Sequence, residues 1–176
     1  GAAPRPLALV VSALGDSTDW LILAAKSAAD GNISQARREL AQVRELATAT
    51  GRTVLNSQSQ KGLKHDLDDI LTPVERLLSG VELTRECSAR TLDSIISTGE
   101  RISVALLARA LTERDVPGIP VDARDFVVTD ATFGAATVDK KETAVKFAEV
   151  SKAWTGKVPI ITGFIGRTKD GQTTTL

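Results

Sequence analysis

The sequence is poor in the residue types that build disulfides and metal sites. Among its 176 residues there is one cysteine, Cys87, and one histidine, His65. A lone cysteine cannot form an internal disulfide, and this composition fits a reducing compartment such as the cytoplasm. A single histidine excludes a metal site with two His ligands and leaves only one possible Cys–His pair for nucleophilic catalysis.

Aromatic side chains and net charge are scarce as well. Aromatics make up 3% of the residues, and 22 basic residues balance 22 acidic ones. Binding surfaces for nucleic acids combine basic and aromatic side chains, and anionic membranes attract basic patches, so neither is an expected partner. No apolar run approaches the ~20 residues that span a bilayer. Residues 1–4 lack the basic and apolar regions of a signal peptide.

Apolar periodicity is what the sequence does contain, and it predicts one domain over residues 1–176. Continuous apolar runs at 7–12 and 158–164 are typical of buried parallel strands, and the first is expected to be central in its sheet. Helical spacing and stop signals predict the other elements. These are helices at 19–29, 33–51, 63–78, 85–96, 99–114 and 141–154, strands at 120–122 and 126–128, and a hairpin over 166–176.

The order of these elements predicts an α/β fold with a parallel sheet between helical layers. The helices over about 32–98 form an excursion from that sheet. Gly51 is expected to stop the second helix, and Pro73 to bend or restart the third.

The segment 11–19 joins the first strand to a helix start, where ligands of open α/β sheets bind. Free N–H groups and the positive end of the helix dipole suit an anionic ligand there, and Ser12 and Thr18 could add hydroxyl groups. The alternative is simple helix capping by Asp16 or Ser17.

Two further segments allow a functional and a structural interpretation. At 97–103, Ser97 and Glu100 match a capping box, whereas the functional interpretation has Glu100 facing a ligand ammonium group. At 162–166, glycines after a strand permit close approach of a ligand, or they form an ordinary turn. The acidic residues around His65 are interpreted as a solvated helix face rather than a cation site.

Four segments, taken together, resemble the aspartate kinases, a branch of the amino-acid kinase family. They occur in family order and span nearly the whole chain. They are Val-Val-Ser-Ala-Leu-Gly-Asp-Ser-Thr-Asp (10–19), Ser-Thr-Gly-Glu-Arg-Ile-Ser (97–103), Val-Thr-Asp-Ala-Thr-Phe-Gly (128–134) and Gly-Phe-Ile-Gly-Arg-Thr-Lys-Asp-Gly-Gln-Thr-Thr-Thr-Leu (163–176).

The resemblance implies a three-layer αβα sandwich and transfer of the ATP γ-phosphoryl group to the β-carboxylate of L-aspartate, with Mg²⁺. It implies that Ser12 and Thr18 bind the substrate, that Glu100 holds its α-ammonium group, that Phe133 walls the pocket, and that Thr175 lies at its edge. Thr18 and Glu100 must then converge at neighbouring helix starts. The product would feed lysine, threonine and methionine synthesis in the cytoplasm.

The sequence also departs from the family pattern. A Lys-Phe-Gly-Gly strand expected before residue 6 and a Gly-Arg-Gly-Gly-Ser-Asp loop expected after residue 176 are missing, so the fold is expected to be truncated at both ends. We therefore expect no kinase turnover by the isolated chain in a coupled assay. The unpaired sheet edges predict stabilisation by a homo-oligomer or by the remaining polypeptide.

Two other functions stay open at this point. A non-catalytic binding or assembly module could retain the fold without the missing lysine and aspartate. A related kinase could act on another acceptor, such as acetylglutamate or uridylate.

Overall fold

Six strands form two three-stranded sheets in residues 7–176, the part of the chain that this computed structural model describes. The first sheet is parallel and has the order β1-β4-β2. The second has the order β3-β5-β6, with β5 and β6 antiparallel. The strands are β1 (Leu9–Val11), β2 (Gly118–Val121), β3 (Val128–Thr129), β4 (Val158–Thr162), β5 (Ile165–Thr168) and β6 (Thr173–Thr175). The predicted features of residues 1–6 lie outside the described residues.

The described residues also form six α-helices, and most begin at a residue that caps them. The side chains of Asn32, Asn56, Ser88 and Asp139 each accept a backbone N–H bond at the start of α2, α3, α4 and α6. Such caps stabilise a helix because its first N–H groups have no partner within the helix. The helices are α1 (Ser17–Ala29), α2 (Ile33–Val54), α3 (Ser57–Thr84), α4 (Ala89–Ile96), α5 (Thr98–Thr112) and α6 (Lys140–Val150).

Strand β4 lies between two helical layers, and alternating residues on it face them. Ile160 packs with Val104 and Ala108 of α5 on one side of the sheet. Ile161, the next residue, packs on the other side with Phe126, and Trp154 of the short 3-10 helix after α6 packs against that cluster. Successive residues of a strand point to opposite faces, so an apolar strand needs cover on both. The predicted α/β fold, with a mainly parallel sheet between helical layers, is confirmed.

The largest apolar cluster lies among the helices α1 to α5. Its fully buried leucines recur at helical spacing on α3, at Leu63, Leu67, Leu71 and Leu78. Burial of each of these leucines contributes roughly 1.5–3 kcal/mol to stability.

Within residues 7–176, no helix combines the length and apolar character needed to cross a membrane.

Two predictions about the first strand are wrong. Residues 7–12 were expected to form a central strand covered on both faces, but β1 comprises only Leu9–Val11 and lies at the edge of its sheet. Val10 is 68% exposed. The strand that is central and covered is β4, which pairs with β1 on one side and β2 on the other.

Gly51 does not stop the second helix, which continues to Val54. A Cβ atom at this buried glycine would lie 2.6 Å from the Cδ2 atom of Leu63 on α3. Gly51 therefore serves the close packing of α2 and α3. Pro73 likewise lies inside α3, which runs without a break over 28 residues.

The fourth helix begins later than predicted, at Ala89 rather than near residue 85. Arg85 ends α3 in the left-handed conformation, and its guanidinium group donates a hydrogen bond of 2.9 Å to the carbonyl of Asp30. The chain between α3 and α4 is thereby tied to the end of α1.

Gly51 and Gly80, two of the helical glycines, provide a matched test of this packing. Gly80→Ala should raise the free energy of unfolding by ~0.5–1 kcal/mol, because alanine favours the helix and no atom lies within 4 Å of the added Cβ. Gly51→Ala should be less stable than Gly80→Ala by ~1–3 kcal/mol, because its Cβ meets Leu63 in a filled core. Urea unfolding measures both, and equal stabilisation by the two substitutions would contradict the packing role of Gly51.

Candidate functional site

The parallel strands β1, β4 and β2 end together at one edge of their sheet, which we call the carboxyl edge. Val11 of β1 lies opposite Thr162 of β4, and the N–H of Gly163 donates a bond of 2.8 Å to the Val11 carbonyl. The loop from β1 to α1 and the start of α5 lie at this edge. Crevices at the carboxyl ends of strands are where open α/β sheets bind ligands.

A glycine lets the start of α5 approach the loop between β1 and α1. A Cβ atom at Gly99 would lie 2.7 Å from the Cβ of Ala13, which is too close for any other residue without a shift of the backbone. This contact brings Glu100 within reach of the N–H of Ala13. Two of the four motif segments, about eighty residues apart in sequence, therefore meet at the carboxyl edge.

Glu100 is an acidic side chain buried at this contact, with only 3% of its surface exposed. Burial raises the pKa of Glu100, although the backbone N–H groups of Glu100 and Ala13 act in the opposite direction. None of the ion pairs formed within residues 7–176 involves Glu100. A buried carboxylate that has no cationic partner among the described residues is suited to bind a cationic group of a ligand.

Of the two interpretations of residues 97–103, the capping box at Ser97 and Glu100 is not found in the structure. Ser97 has helical backbone angles, and its hydroxyl donates a bond of 2.9 Å to the carbonyl of Ser94 rather than capping α5. Its N–H donates to the carbonyl of Asp93, so α4 leads directly into α5. The capping geometry requires an extended residue before the helix, and the chain at Ser97 is not extended.

Helix α1 also begins without a side-chain cap, so the alternative of simple capping by Asp16 or Ser17 is not found in the structure. Asp16 occupies the cap position but makes no capping bond, and the Ser17 hydroxyl donates to the carbonyl of Leu14. Thr18, in the first turn, is partly exposed and Ser12 is exposed. Of the six described α-helices, α1 and α5 are the two without a side-chain cap, and both begin at the carboxyl edge.

Asp93 of α4 is a residue of this region that the sequence analysis missed. Its carboxylate is 1% exposed and accepts bonds from the N–H of Gly134 (3.0 Å), the N–H of Thr175 (3.0 Å) and the hydroxyl of Thr175 (2.8 Å). An aspartate among apolar neighbours in a predicted helix, between Leu92 and Ile95, was the available signal, because buried acids need partners.

The carboxylate of Asp93 also contacts the segments that carry the two remaining predicted site residues, Phe133 and Thr175. Phe133 precedes Gly134 in the loop that Asp93 holds, and it is partly exposed. Thr175 is 1% exposed, and its hydroxyl is directed at Asp93. The N–H of Ala136 donates to the Thr175 carbonyl at 2.8 Å, which joins that loop to β6.

A second polar network at the carboxyl edge centres on Asp122, directly after β2. Burial by itself would raise the pKa of Asp122, but hydrogen bonds and charge from Arg124, with the charge of Arg101, hold it below its usual value. Arg124 also donates a bond of 3.0 Å to the hydroxyl of Thr173. The network therefore fixes the start of β6, as Asp93 fixes its end.

His65 and its acidic neighbours lie on α3. His65 is exposed, as predicted for a solvated face, but Asp66 and Asp68 pair with Arg109 and Arg44. Among residues 7–176 there is no group of three or more His, Cys, Asp or Glu residues that could hold a metal ion.

Comparison with known proteins identifies the relatives of this chain. Residues 2–176 match the Amino acid kinase family. The chain is 33% identical to aspartokinase 1, chloroplastic, of Arabidopsis thaliana over 178 residues, which cover 96% of this chain and 30% of that protein. It is 32% identical to aspartokinase 2 of Bacillus subtilis over 90 residues, which cover 51% of this chain and 21% of that protein. The chain thus spans less than a third of these relatives.

Solved structures agree with this result. Aspartokinase III of E. coli in complex with lysine and aspartate superposes with a TM-score of 0.85 at 26% identity, over 95% of this chain and 36% of that one. The same enzyme in complex with aspartate and ADP gives the same values. The resemblance that the four motif segments carry is confirmed.

The raised pKa of Glu100 predicts a pH-dependent effect of Glu100→Gln. A folded-state pKa above the ordinary value means that the protonated acid stabilises the fold at low pH, and that this contribution is lost as the pH rises above the ordinary value near 4.5. Glutamine is uncharged throughout. The variant should therefore be more stable than the wild type at pH 7, and its advantage should shrink towards pH 4.

Thermal unfolding at pH 4, 5, 6 and 7 measures this effect. Glu149→Gln, at an exposed position of α6, controls for the change in net charge. A Glu100→Gln variant that is less stable than the wild type at pH 7 would show that the carboxylate is compensated within the fold.

Proposed function

The chain belongs to the amino acid kinase family, and on that premise we propose that it is the acceptor-binding part of an aspartate kinase. The reaction transfers the γ-phosphoryl group of ATP to the β-carboxylate of L-aspartate and gives 4-phospho-L-aspartate. The similarity to aspartokinases from plants and bacteria supports this substrate pair. The E. coli enzyme in both solved structures is in complex with aspartate.

The observation that carries the proposal is the buried carboxylate of Glu100 without a cationic partner in the described residues. An amino acid substrate brings an ammonium group that would neutralise it. The same substrate brings carboxylates, which suit the uncapped start of α1 and the hydroxyl of Thr18. Neither acetylglutamate nor uridylate carries a free ammonium group, so Glu100 favours aspartate over both alternative acceptors.

The chemistry demands little from the protein beyond positioning. The β-carboxylate of aspartate is already ionised near pH 7, so its oxygen can attack the γ-phosphorus without a general base. A bond forms between that oxygen and phosphorus, and the bond from phosphorus to the bridging oxygen of ADP breaks. Glu100, Thr18 and Ser12 hold the acceptor, and Phe133 and Thr175 bound its pocket.

The nucleotide and its metal receive less support from these residues. Mg²⁺ neutralises phosphate charge in such reactions, but the described residues contain no acidic cluster that fits a metal. The two arginines at the carboxyl edge, Arg101 and Arg124, are both engaged by Asp122. We therefore assign ATP and Mg²⁺ to the complete enzyme, and we expect the isolated 176-residue chain to give no turnover.

The proposal includes a place for the reaction in the cell. Phosphorylated aspartate would enter the synthesis of lysine, threonine and methionine in the cytoplasm.

Strand β1, with Val10 exposed at the sheet edge, suits pairing with the remaining polypeptide or with a second copy in a homo-oligomer.

Substitution of Glu100 in the protein expressed from its complete gene tests this function. Glu100→Gln should raise the KM for L-aspartate by about 10- to 100-fold, because a hydrogen bond to a charged group contributes ~1.5–3 kcal/mol. The KM for ATP should change less than twofold. A coupled assay of ADP release measures both values.

The control and the competing acceptors complete the test. Glu149→Gln should leave both KM values unchanged. Acetylglutamate and uridylate, offered in place of aspartate, should give no ADP. Turnover with either of them, or an unchanged KM for aspartate in Glu100→Gln, contradicts the proposed acceptor.

A further inference from the structure

Asp93 is a buried acid that the proposed chemistry does not use. Its side chain is 1% exposed, and no ion pair within residues 7–176 includes it. Three donors from two distant segments, at Gly134 and Thr175, compensate the carboxylate. Such charge-assisted bonds are roughly twice as strong as neutral ones. The acid therefore holds these two segments together.

The backbone of Asp93 is bonded to the segment that leads to Glu100. Its carbonyl accepts the N–H of Ser97 at 3.0 Å, at the junction where α4 leads into α5. Glu100 lies three residues beyond that junction, in the first turn of α5. One residue thus connects the helix that carries Glu100 to the loop that carries Phe133.

The loop on the far side depends on this connection for its shape. Gly134 has a φ of 85°, a conformation that glycine adopts without strain, and its N–H points at Asp93. Gly134 and Thr175 donate to the same carboxylate oxygen, Oδ2, and Ala136 is bonded to Thr175. Loss of the carboxylate would release the loop and the end of β6 together.

We propose that Asp93 is a positioning residue that sets the distance between Glu100 and the Phe133 loop, and thereby selects the length of the acceptor. This inference rests on the proposed function. A pocket bounded by two fixed walls can reject an acceptor longer by one methylene, such as L-glutamate. One methylene in a hydrophobic pocket changes kcat/KM by about 10- to 200-fold. A pocket with a mobile wall loses this discrimination.

Acceptor selectivity tests the proposal in the protein expressed from its complete gene. The quantity measured is the ratio of kcat/KM for L-aspartate to kcat/KM for L-glutamate. Asp93→Asn keeps the shape of the side chain but removes its charge, and should lower this ratio at least 10-fold, mainly through a higher KM for aspartate. Thr175→Val removes one of the three donors and should lower the ratio by a smaller factor.

Thr129→Val is the matched control. It removes the buried bond of 2.7 Å between the hydroxyls of Thr129 and Thr174, which ties the same strand β6 to β3 without involving Asp93. Its selectivity should equal that of the wild type even where its stability falls. Equal loss of selectivity in Thr129→Val and Asp93→Asn would overturn the proposal, as would a ratio in Asp93→Asn within twofold of the wild type.

Two further measurements test the proposal if Asp93→Asn does not fold or the enzyme is inactive. If Asp93→Asn does not fold, the selectivity ratio of Thr175→Val is compared with that of Thr129→Val, and only the ratio of Thr175→Val should fall. Amide hydrogen exchange at Gly134 and Thr175 should accelerate in Asp93→Asn and not in Thr129→Val. If the wild-type protein phosphorylates neither acceptor, the proposed function fails, and the exchange rates alone then show whether Asp93 holds the two segments.

Discussion

The contact between Gly99 and Ala13 is the constraint on which the candidate site depends. It allows the start of α5 to touch the loop after β1, with 2.7 Å between the Cβ of Ala13 and the Cβ that any other residue would add at position 99. Glu100, the next residue, is buried beside this contact. A larger residue at position 99 would separate the two segments and admit water to the carboxylate. Water would then solvate the charge of Glu100, and a ligand ammonium group would bind it more weakly.

Strand β6 is bonded to three other elements of this region. Each of its three threonines bonds through its hydroxyl to a different element: Thr173 to Arg124, Thr174 to Thr129 and Thr175 to Asp93. Threonine suits such a strand, because its β-branched side chain favours extended backbone while its hydroxyl satisfies a buried partner. Arg124, Thr129 and Asp93 therefore belong to one hydrogen-bonded unit, although they come from widely separated parts of the sequence.

Local patterns in the sequence predicted most of the elements but not the contacts between them. The apolar run around Ile160 and the hairpin over 166–176 follow from periodicity and turn residues, and the structure contains both. Gly51 was misinterpreted because a glycine that ends a helix and a glycine that admits a neighbouring leucine look alike in sequence. The partners of Asp93 lie 41 and 82 residues away, where no local pattern can indicate them.

The start of α5 shows how a capping-box sequence can occur where no cap forms. Serine followed three residues later by glutamate normally marks a helix start whose carboxylate reaches back to the backbone. Here α4 supplies the preceding turn, so that α5 needs no such cap and Glu100 is free of that role. Burial of this acid opposes its ionisation, and a fold selected for stability alone would place a neutral residue there. An ionised carboxylate at this position needs a positive charge from outside the described residues, and the ammonium group of an amino acid ligand would supply one.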